Sequence, residues 1–274
     1  MDFETIQGIK VPEIGLGTYK LYGRECYETL RKALDLGYTH IDTAQMYENE
    51  AEIGEAIKIS GRDREELFIT TKIWHTDLQH DDVLQTVEDS LRDLDTPYLD
   101  LLLIHWPNPD VPLERTFEAM MTLRDQGKAI NIGVSNFNLA LMKQSVEELR
   151  IPLFCNQLEF HPFLVPEAML DYSYDHDFMV TAYAPLARGR VFEEEIIRNI
   201  AEEHGKSPAQ VALRWLIEQE NVVAIPKATS EEHLKANLDI YDFSLSDEEF
   251  ELIDSLNRSE RIVNPDFAPA WEEE

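Results

Sequence analysis

Eight short runs rich in β-branched and other apolar residues, at 14–18, 40–43, 67–73, 99–106, 130–135, 154–159, 179–184 and 222–226, alternate with stretches of 3.6-residue apolar periodicity. No other feature limits the fold as much. Runs such as LLLIHW and VVAIP are almost unbroken in apolar residues, as in a parallel strand covered on both faces. The periodic stretches include 25–36, 81–94, 113–126, 166–176 and 208–219, each long enough for a crossover helix. Eight such units in 274 residues predict an α/β fold, a closed (β/α)8 TIM barrel, in preference to an open doubly wound sheet. The length suits one barrel domain over residues 1–274.

Local punctuation supports these units. Gly37 and Gly127 follow helical stretches where a left-handed residue closes the last turn, and Ser207-Pro208 supplies an N-cap followed by proline at the first helical position. Residues 1–12 read as a β-hairpin turning at Gly8, set before the first barrel strand as a cap on the barrel floor. The seventh connection has room for two helices, 194–204 and 208–219, and a helix at 247–256 with a proline-containing tail follows the eighth unit.

Composition narrows the function classes. Acidic residues outnumber basic ones 54 to 24, a formal net charge of −30, which opposes binding to nucleic acid or an anionic membrane. Such charge repels itself in dilute buffer and is screened at ~1 M salt, where the Debye length is about 3 Å; a salt-adapted cytoplasm is the expectation. The opening MDFETIQGIK lacks the basic start and apolar stretch of a signal peptide, and no run approaches the roughly 18 apolar residues of a membrane span, so a cytoplasmic location is expected. Cys26 and Cys155 fit no ligand or redox spacing and read as buried free thiols. The scattered histidines, His40, His75, His80, His161, His176 and His204, show no metal-site spacing, and no metal is predicted. Gly15-Leu16-Gly17 begins like a dinucleotide fingerprint but lacks the third glycine, and reads as a tight bend after the first strand.

In a (β/α)8 barrel the active site forms at the C-terminal strand ends. Strand two ends in Asp42, three in Lys72, four in His105, five in Ser135-Asn136, six near Gln157, seven in Tyr183 and eight at Lys227. Taken singly, Asp42 suits a helix cap, Lys72 a solvated strand end and His105 a core histidine. Together they are hard to assign to packing, because desolvating an acid, a cation and several amides is costly unless they pair with one another or with a ligand.

The ordered segments GLGTYK, GYTHIDTAQMYENE, ITTKIW, LDLLLIHWP, IGVSNF, CNQLEFHP, AYAPLARGR and AIPKAT resemble the aldo-keto reductase family over nearly the whole chain. The chain is similar to the family's compact prokaryotic type, the diketogluconate and aldehyde reductases. The resemblance implies an NAD(P)H-dependent oxidoreductase that reduces aldehydes or ketones to alcohols. It carries a catalytic tetrad onto Asp42, Tyr47, Lys72 and His105. Tyr47 is then the general acid and Lys72 the ammonium that favours ionisation of a phenol whose free pKa is about 10. Asp42 would hold the lysine, and His105 would donate a hydrogen bond to the carbonyl.

The same resemblance makes Ser135, Asn136 and Gln157 a carboxamide clamp and Tyr183 the aromatic beneath the nicotinamide. Residues 186–190, with Leu186 and Arg188, match the loop over the pyrophosphate; Arg188 and Arg190 suit that role and suit a solvated surface equally. Around the 2′-phosphate, Lys227, Thr229 and Asn237 belong to the matching pocket, whereas Ala228 replaces a common serine and His233 a common arginine. One strong cation is lost, so NADP(H) is the expected cofactor with NAD(H) left open.

Tyr19, Trp74, His105 and Trp106 are expected to line an aromatic pocket for small carbonyl compounds, among them keto acids, keto sugars, methylglyoxal-like aldehydes and aryl aldehydes. The tail after Leu256 is short for a long substrate-shaping loop, and a monomer is expected. Two competing readings are a catalytically weak NADPH-binding regulatory protein on the same barrel and a (β/α)8 hydrolase or isomerase using Asp42 and His105. The intact tetrad speaks against the first, and the amide clamp with Tyr183 against the second.

Overall fold

The computed structural model describes residues 2–271. The chain begins with an antiparallel hairpin, β1 (Phe3–Ile6) and β2 (Ile9–Pro12), as expected. Its two-residue turn places Gln7 and Gly8 at φ 48° and 79°, the left-handed pair that matches strand twist and that glycine adopts without a Cβ penalty. Ile6 and Val11 are fully buried and pack with Phe68, Leu101, Leu103 and Phe154, so the hairpin closes the barrel floor.

Eight parallel strands follow: β3 (Leu16–Gly17), β4 (His40–Asp42), β5 (Phe68–Ile73), β6 (Leu99–Ile104), β7 (Ala129–Ser135), β8 (Cys155–Glu159), β9 (Met179–Tyr183) and β10 (Val222–Ala224). Each pairs with its sequence neighbour. The ring is completed where Ile14 bridges Ala224 in parallel, with the Gly15 amide donating to the Ala224 carbonyl and the Ala224 amide to Glu13, both at 2.8 Å. The fold is therefore a (β/α)8 barrel. Its first strand is shorter than the expected 14–18 because only Leu16 and Gly17 pair with β4.

Gly15 and Gly17 are part of this closure and do not form the bend expected of them. A Cβ on Gly17 would stand 2.6 Å from the Ile225 carbonyl oxygen, and one on Gly15 would stand 2.8 Å from the His40 ring. Close approach of the Ile225 backbone at Gly17, and of the buried His40 ring at Gly15, is what requires glycine there.

The helices surround this ring: α1 (Gly23–Leu36), α2 (Glu50–Ser60), α3 (His80–Asp93), α4 (Leu113–Asp125), α5 (Leu139–Lys143), α6 (Glu167–His176), α7 (Glu195–His204), α8 (Pro208–Ile217), α9 (Glu231–Leu238) and α10 (Asp247–Asp254). Gly37 closes α1 at φ 101°, and Ser207 opens α8 through a reciprocal capping box with Gln210. Periodicity had not singled out α2, α5 or α9. Of these, α5 runs directly into a π-type turn at Gln144–Glu148, and α9 has a weak apolar face with Leu234 as its one fully buried large side chain.

Apolar side chains fill two regions. Leu101, Leu103, Cys155, Met179 and Val223 fill the barrel interior, while a larger layer including Ile69, Leu102, Ile132, Val180 and Trp215 lies between sheet and helices. Full burial of each such side chain favours folding by about 1.5–3 kcal/mol. Cys26 and Cys155 are buried free thiols, and among the described residues no helix is long and apolar enough to cross a membrane.

Candidate active site

The strand ends opposite the hairpin converge on a cavity of about 820 Å³. Asp42 closes β4 and Lys72 lies in β5, two strands that pair in register. Both side chains are almost wholly buried, and Lys72 Nζ donates to Asp42 Oδ1 at 2.5 Å and to the Thr43 carbonyl at 2.8 Å. Burial pulls the lysine below its usual pKa of 10.5, with Asp42 opposing that shift. The other Asp42 oxygen accepts from Gln157 Nε2 at 2.7 Å.

Tyr47 is carried on a single 3₁₀ turn, Gln45–Tyr47, ended by Glu48 at φ 53°. Buried Asn49 pins this turn: its side chain donates to the carbonyls of Thr18 (3.1 Å) and Leu21 (3.0 Å) and accepts from the Thr43 hydroxyl (2.7 Å). The Tyr47 ring lies 5.1 Å from Lys72 Nζ, 5.1 Å from the Tyr19 ring and 5.5 Å from the His105 ring, which it meets edge-on. The expected lowering of its pKa by Lys72 is not what the geometry gives. Burial, and then the Asp42 charge, push the phenol well above 10, so it is held protonated.

His105 follows β6 directly and is buried, with its Nδ1 lacking a hydrogen-bond partner among the described residues. Burial first, then Lys72 and His75, drive its pKa well below 6.5. The ring is therefore neutral, with one N–H to offer and Lys72 close enough to oppose a second proton.

Ser135, Asn136, Gln157 and Tyr183 form one hydrogen-bonded group. Ser135 Oγ donates to the Gln157 carbonyl (2.9 Å), Asn136 Nδ2 donates to the His105 carbonyl (2.9 Å) and to Ser135 Oγ (3.0 Å), and the Tyr183 hydroxyl donates to Asn136 Oδ1 (2.8 Å). Asn136 sits at φ 62°, a left-handed conformation that asparagine tolerates better than bulkier residues. All four side chains line the cavity beside Asp42, Tyr47 and His105. Lys72 lies behind Asp42.

Beyond Tyr183 the chain turns sharply, with Ala184, Ala187, Arg188 and Gly189 at φ 49°, 47°, 51° and 96°. Leu186 and exposed Arg188 line the cavity here, and Arg188 has no ion pair among the described residues. Arg190 is instead paired with Glu260. Exposed Lys227 lines the same rim and donates to the Lys20 carbonyl at 3.2 Å. Ala228 (buried), Thr229 (half-buried), His233 (exposed, first turn of α9) and Asn237 (buried, bonded to Tyr38) do not line the cavity. A nicotinamide dinucleotide fits this lining: side-chain amides and a hydroxyl at the deep end, an aromatic ring beside them, and the cations Arg188 and Lys227 at the rim.

Tyr19, Trp74 and Trp106 line the mouth as expected. Sequence reasoning missed further lining residues: Met46, Phe192 and the tail residues Ile262, Val263, Pro265 and Phe267. Phe267 stacks on His75 (centroids 4.1 Å apart) and meets Trp74 and Trp106 edge-on at 5.6 and 5.7 Å. The signal available was an aromatic residue in a proline-flanked tail, NPDFAP. His40 and His161 lie buried against the Pro12 carbonyl and Glu159, and among the described residues no cluster of His, Cys, Asp or Glu is arranged to hold a metal.

Comparison with known proteins agrees with this architecture. Residues 13–258 match the Aldo/keto reductase family. The chain is 42% identical over 261 residues to glyoxal reductase of Bacillus subtilis (strain 168), covering 94% of each, and 40% identical over 268 residues to a methylglyoxal reductase of Yersinia pestis, covering 96% of this chain and 100% of that one. The solved structure of a candidate 2,5-diketo-D-gluconic acid reductase B superposes with a TM-score of 0.96 at 41% identity, covering 99% of this chain and 98% of that one. With a family match over most of its length, and with carbonyl reductases similar to it end to end, this chain belongs to the aldo/keto reductase family and is an NAD(P)H-dependent oxidoreductase of carbonyl compounds.

Proposed function

We propose that the chain reduces small, uncharged aldehydes, α-oxoaldehydes and aryl aldehydes foremost, at the cavity over Tyr47, with NADP(H) as its preferred cofactor. The observation that carries this reading is the placement of the Tyr47 ring, 5.1 Å from Lys72 Nζ in the Lys72–Asp42 ion pair and 5.5 Å from the His105 ring. When bound, the dihydronicotinamide supplies hydride to the carbonyl carbon. Tyr47 gives its proton to the carbonyl oxygen, which is far more basic as an alkoxide than the phenolate left behind. The Lys72 ammonium stabilises that phenolate, and Asp42 keeps the ammonium charged in its buried setting. His105 donates its single N–H to the same oxygen and stabilises the charge developing there. Ser135, Asn136 and Gln157 hold the carboxamide, Tyr183 supports the ring, and Leu186 and Arg188 cover the phosphates.

The substrate preference rests on the wall chemistry. Trp74, Trp106 and Phe267 offer flat apolar surface, and the two cations on the rim, Arg188 and Lys227, stand on the side assigned to the cofactor. The relatives named for glyoxal and methylglyoxal support the same class. Lys227 favours the cofactor with the 2′-phosphate, while His233, exposed where an arginine would serve, limits that preference. A cytoplasmic monomer with one barrel domain completes the reading, the charge of −30 keeping copies apart. Absorbance at 340 nm with NADPH or NADH and methylglyoxal, a nitrobenzaldehyde or a keto sugar tests it. Oxidation dependent on the aldehydes and faster with NADPH is expected; cofactor binding without turnover of any carbonyl would favour the regulatory reading.

A further inference from the structure

Glu159, at the C-terminal end of β8, is a buried carboxylate that the proposed chemistry does not use. It is 1% exposed, and His161 beside it is 0% exposed. Its Oε1 accepts from the Ile262 amide at 2.7 Å and pairs with His161 Nε2 at 3.0 Å, and its Oε2 accepts from the Val263 amide at 2.8 Å. These hydrogen bonds outweigh burial, which opposes the charge, and hold the carboxyl below its usual range. Ile262 and Val263 are the tail residues that begin the cavity wall, and Phe267 follows four residues later.

We propose that Glu159 is a positioning residue that clamps the C-terminal tail and thereby shapes the substrate pocket. The inference rests on the substrate side of the functional reading above and goes beyond it by naming the residue that sets the wall. A buried carboxylate without partners is strongly disfavoured, so two consecutive amides are drawn to it and the backbone at 262–263 is fixed to the barrel rim. Other contacts also hold the tail, among them the Glu260 amide on the Phe163 carbonyl at 2.9 Å, Asn138 Nδ2 on the Ala270 carbonyl at 2.8 Å, the Arg190–Glu260 ion pair and the stacking of Phe267 on His75, but none of them fixes the backbone at 262–263. Glu159 is two residues beyond Gln157 on the same strand and pairs in register with Tyr183. One strand therefore sets both the residue proposed to grip the cofactor and the wall that faces the substrate.

Glu159→Gln tests this, because the amide keeps the volume but turns an N–H donor toward a backbone donor. Val263→Pro removes one donor from the tail side and leaves the carboxylate in place, and it decides the matter if the first variant does not fold. In Glu159→Gln, KM for a nitrobenzaldehyde is expected to rise about tenfold, as for loss of one or two hydrogen bonds to a charged group, while kcat on methylglyoxal stays within about threefold; Val263→Pro, which alters a wall residue itself, is read by proteolysis alone. Limited proteolysis, read without cofactor or substrate, should show new cleavage within residues 257–271. The double variant should be little worse than either single one, since both break the same contact. An unchanged tail digestion pattern in both variants would overturn the clamp whatever the activity. New cleavage with an equal fall in kcat for both substrates would overturn its role in pocket shape. A protein that reduced no carbonyl at all would sink the functional reading while the proteolysis still judged the clamp.

Discussion

Gln157 donates from Nε2 to Oδ2 of Asp42 at 2.7 Å, on the oxygen that Lys72 leaves free. A single buried carboxylate thus joins the residue proposed to grip the nicotinamide to the ion pair proposed to support the acid. Disturbing either partner should be felt in both functions.

Lys72→Met strips Asp42 of its counter-charge and leaves it buried with Gln157 as its remaining side-chain partner. Breaking a buried pair from one side costs about 3–5 kcal/mol, to be read from denaturant unfolding, and reduction should fall to background. A variant of near-native stability that still turned over would show that Lys72 is neither the structural nor the electrostatic partner assigned to it.

His233→Arg places a cation on the first turn of α9, where the sequence resemblance puts the 2′-phosphate. NADPH should bind about fivefold tighter, in keeping with about 1 kcal/mol for an exposed pair, and NADH within about twofold of the native protein. Equal tightening of both, by fluorescence titration, would mean that the phosphate lies elsewhere.

Glu13 gives a pH dependence with a definite sign. Burial, helped by Asp2 and Glu4, raises its carboxyl from 4.5 to about 7. The native state therefore holds a proton that the unfolded chain has lost, and the stability tied to that proton is complete below pH 4.5 and disappears as pH rises through about 7. Glu13→Gln should raise Tm at pH 8 and leave it nearly unchanged at pH 4.5. The opposite order would refute the buried neutral acid.

Salt should stabilise the fold. With a net charge of −30, raising KCl from ~0.1 to ~1 M shortens the screening length from about 10 to 3 Å, and Tm should climb by several degrees. A Tm that is flat or falls with salt would argue against salt adaptation.

Much of this was legible in the sequence, for identifiable reasons. Strand ends could be read because parallel barrel strands are largely apolar until the chain reaches the rim, so Asp42 and His105 stand out where the apolar runs stop, and Lys72 one residue before β5 ends. The hairpin announced itself through Gly8, and α8 through Ser207-Pro208. The tail wall was not legible, since Phe267 gains its role only from contact with His75 and Trp74, nearly two hundred residues earlier, and Glu159 looks like any surface acid until two amides from the tail close over it. The pKa of Tyr47 was misjudged for a related reason: sequence names the neighbouring charge, but only packing gives the burial that outweighs it.

The most direct measurement is NADPH oxidation at 340 nm with methylglyoxal by the native protein and by Tyr47→Phe, alongside NADPH affinity for each. The variant loses the proton donor and keeps the clamp, so kcat should fall by about 10²–10⁴-fold with cofactor affinity nearly intact. Full turnover by Tyr47→Phe would contradict the assignment of Tyr47 as the acid, and with it the account of this site.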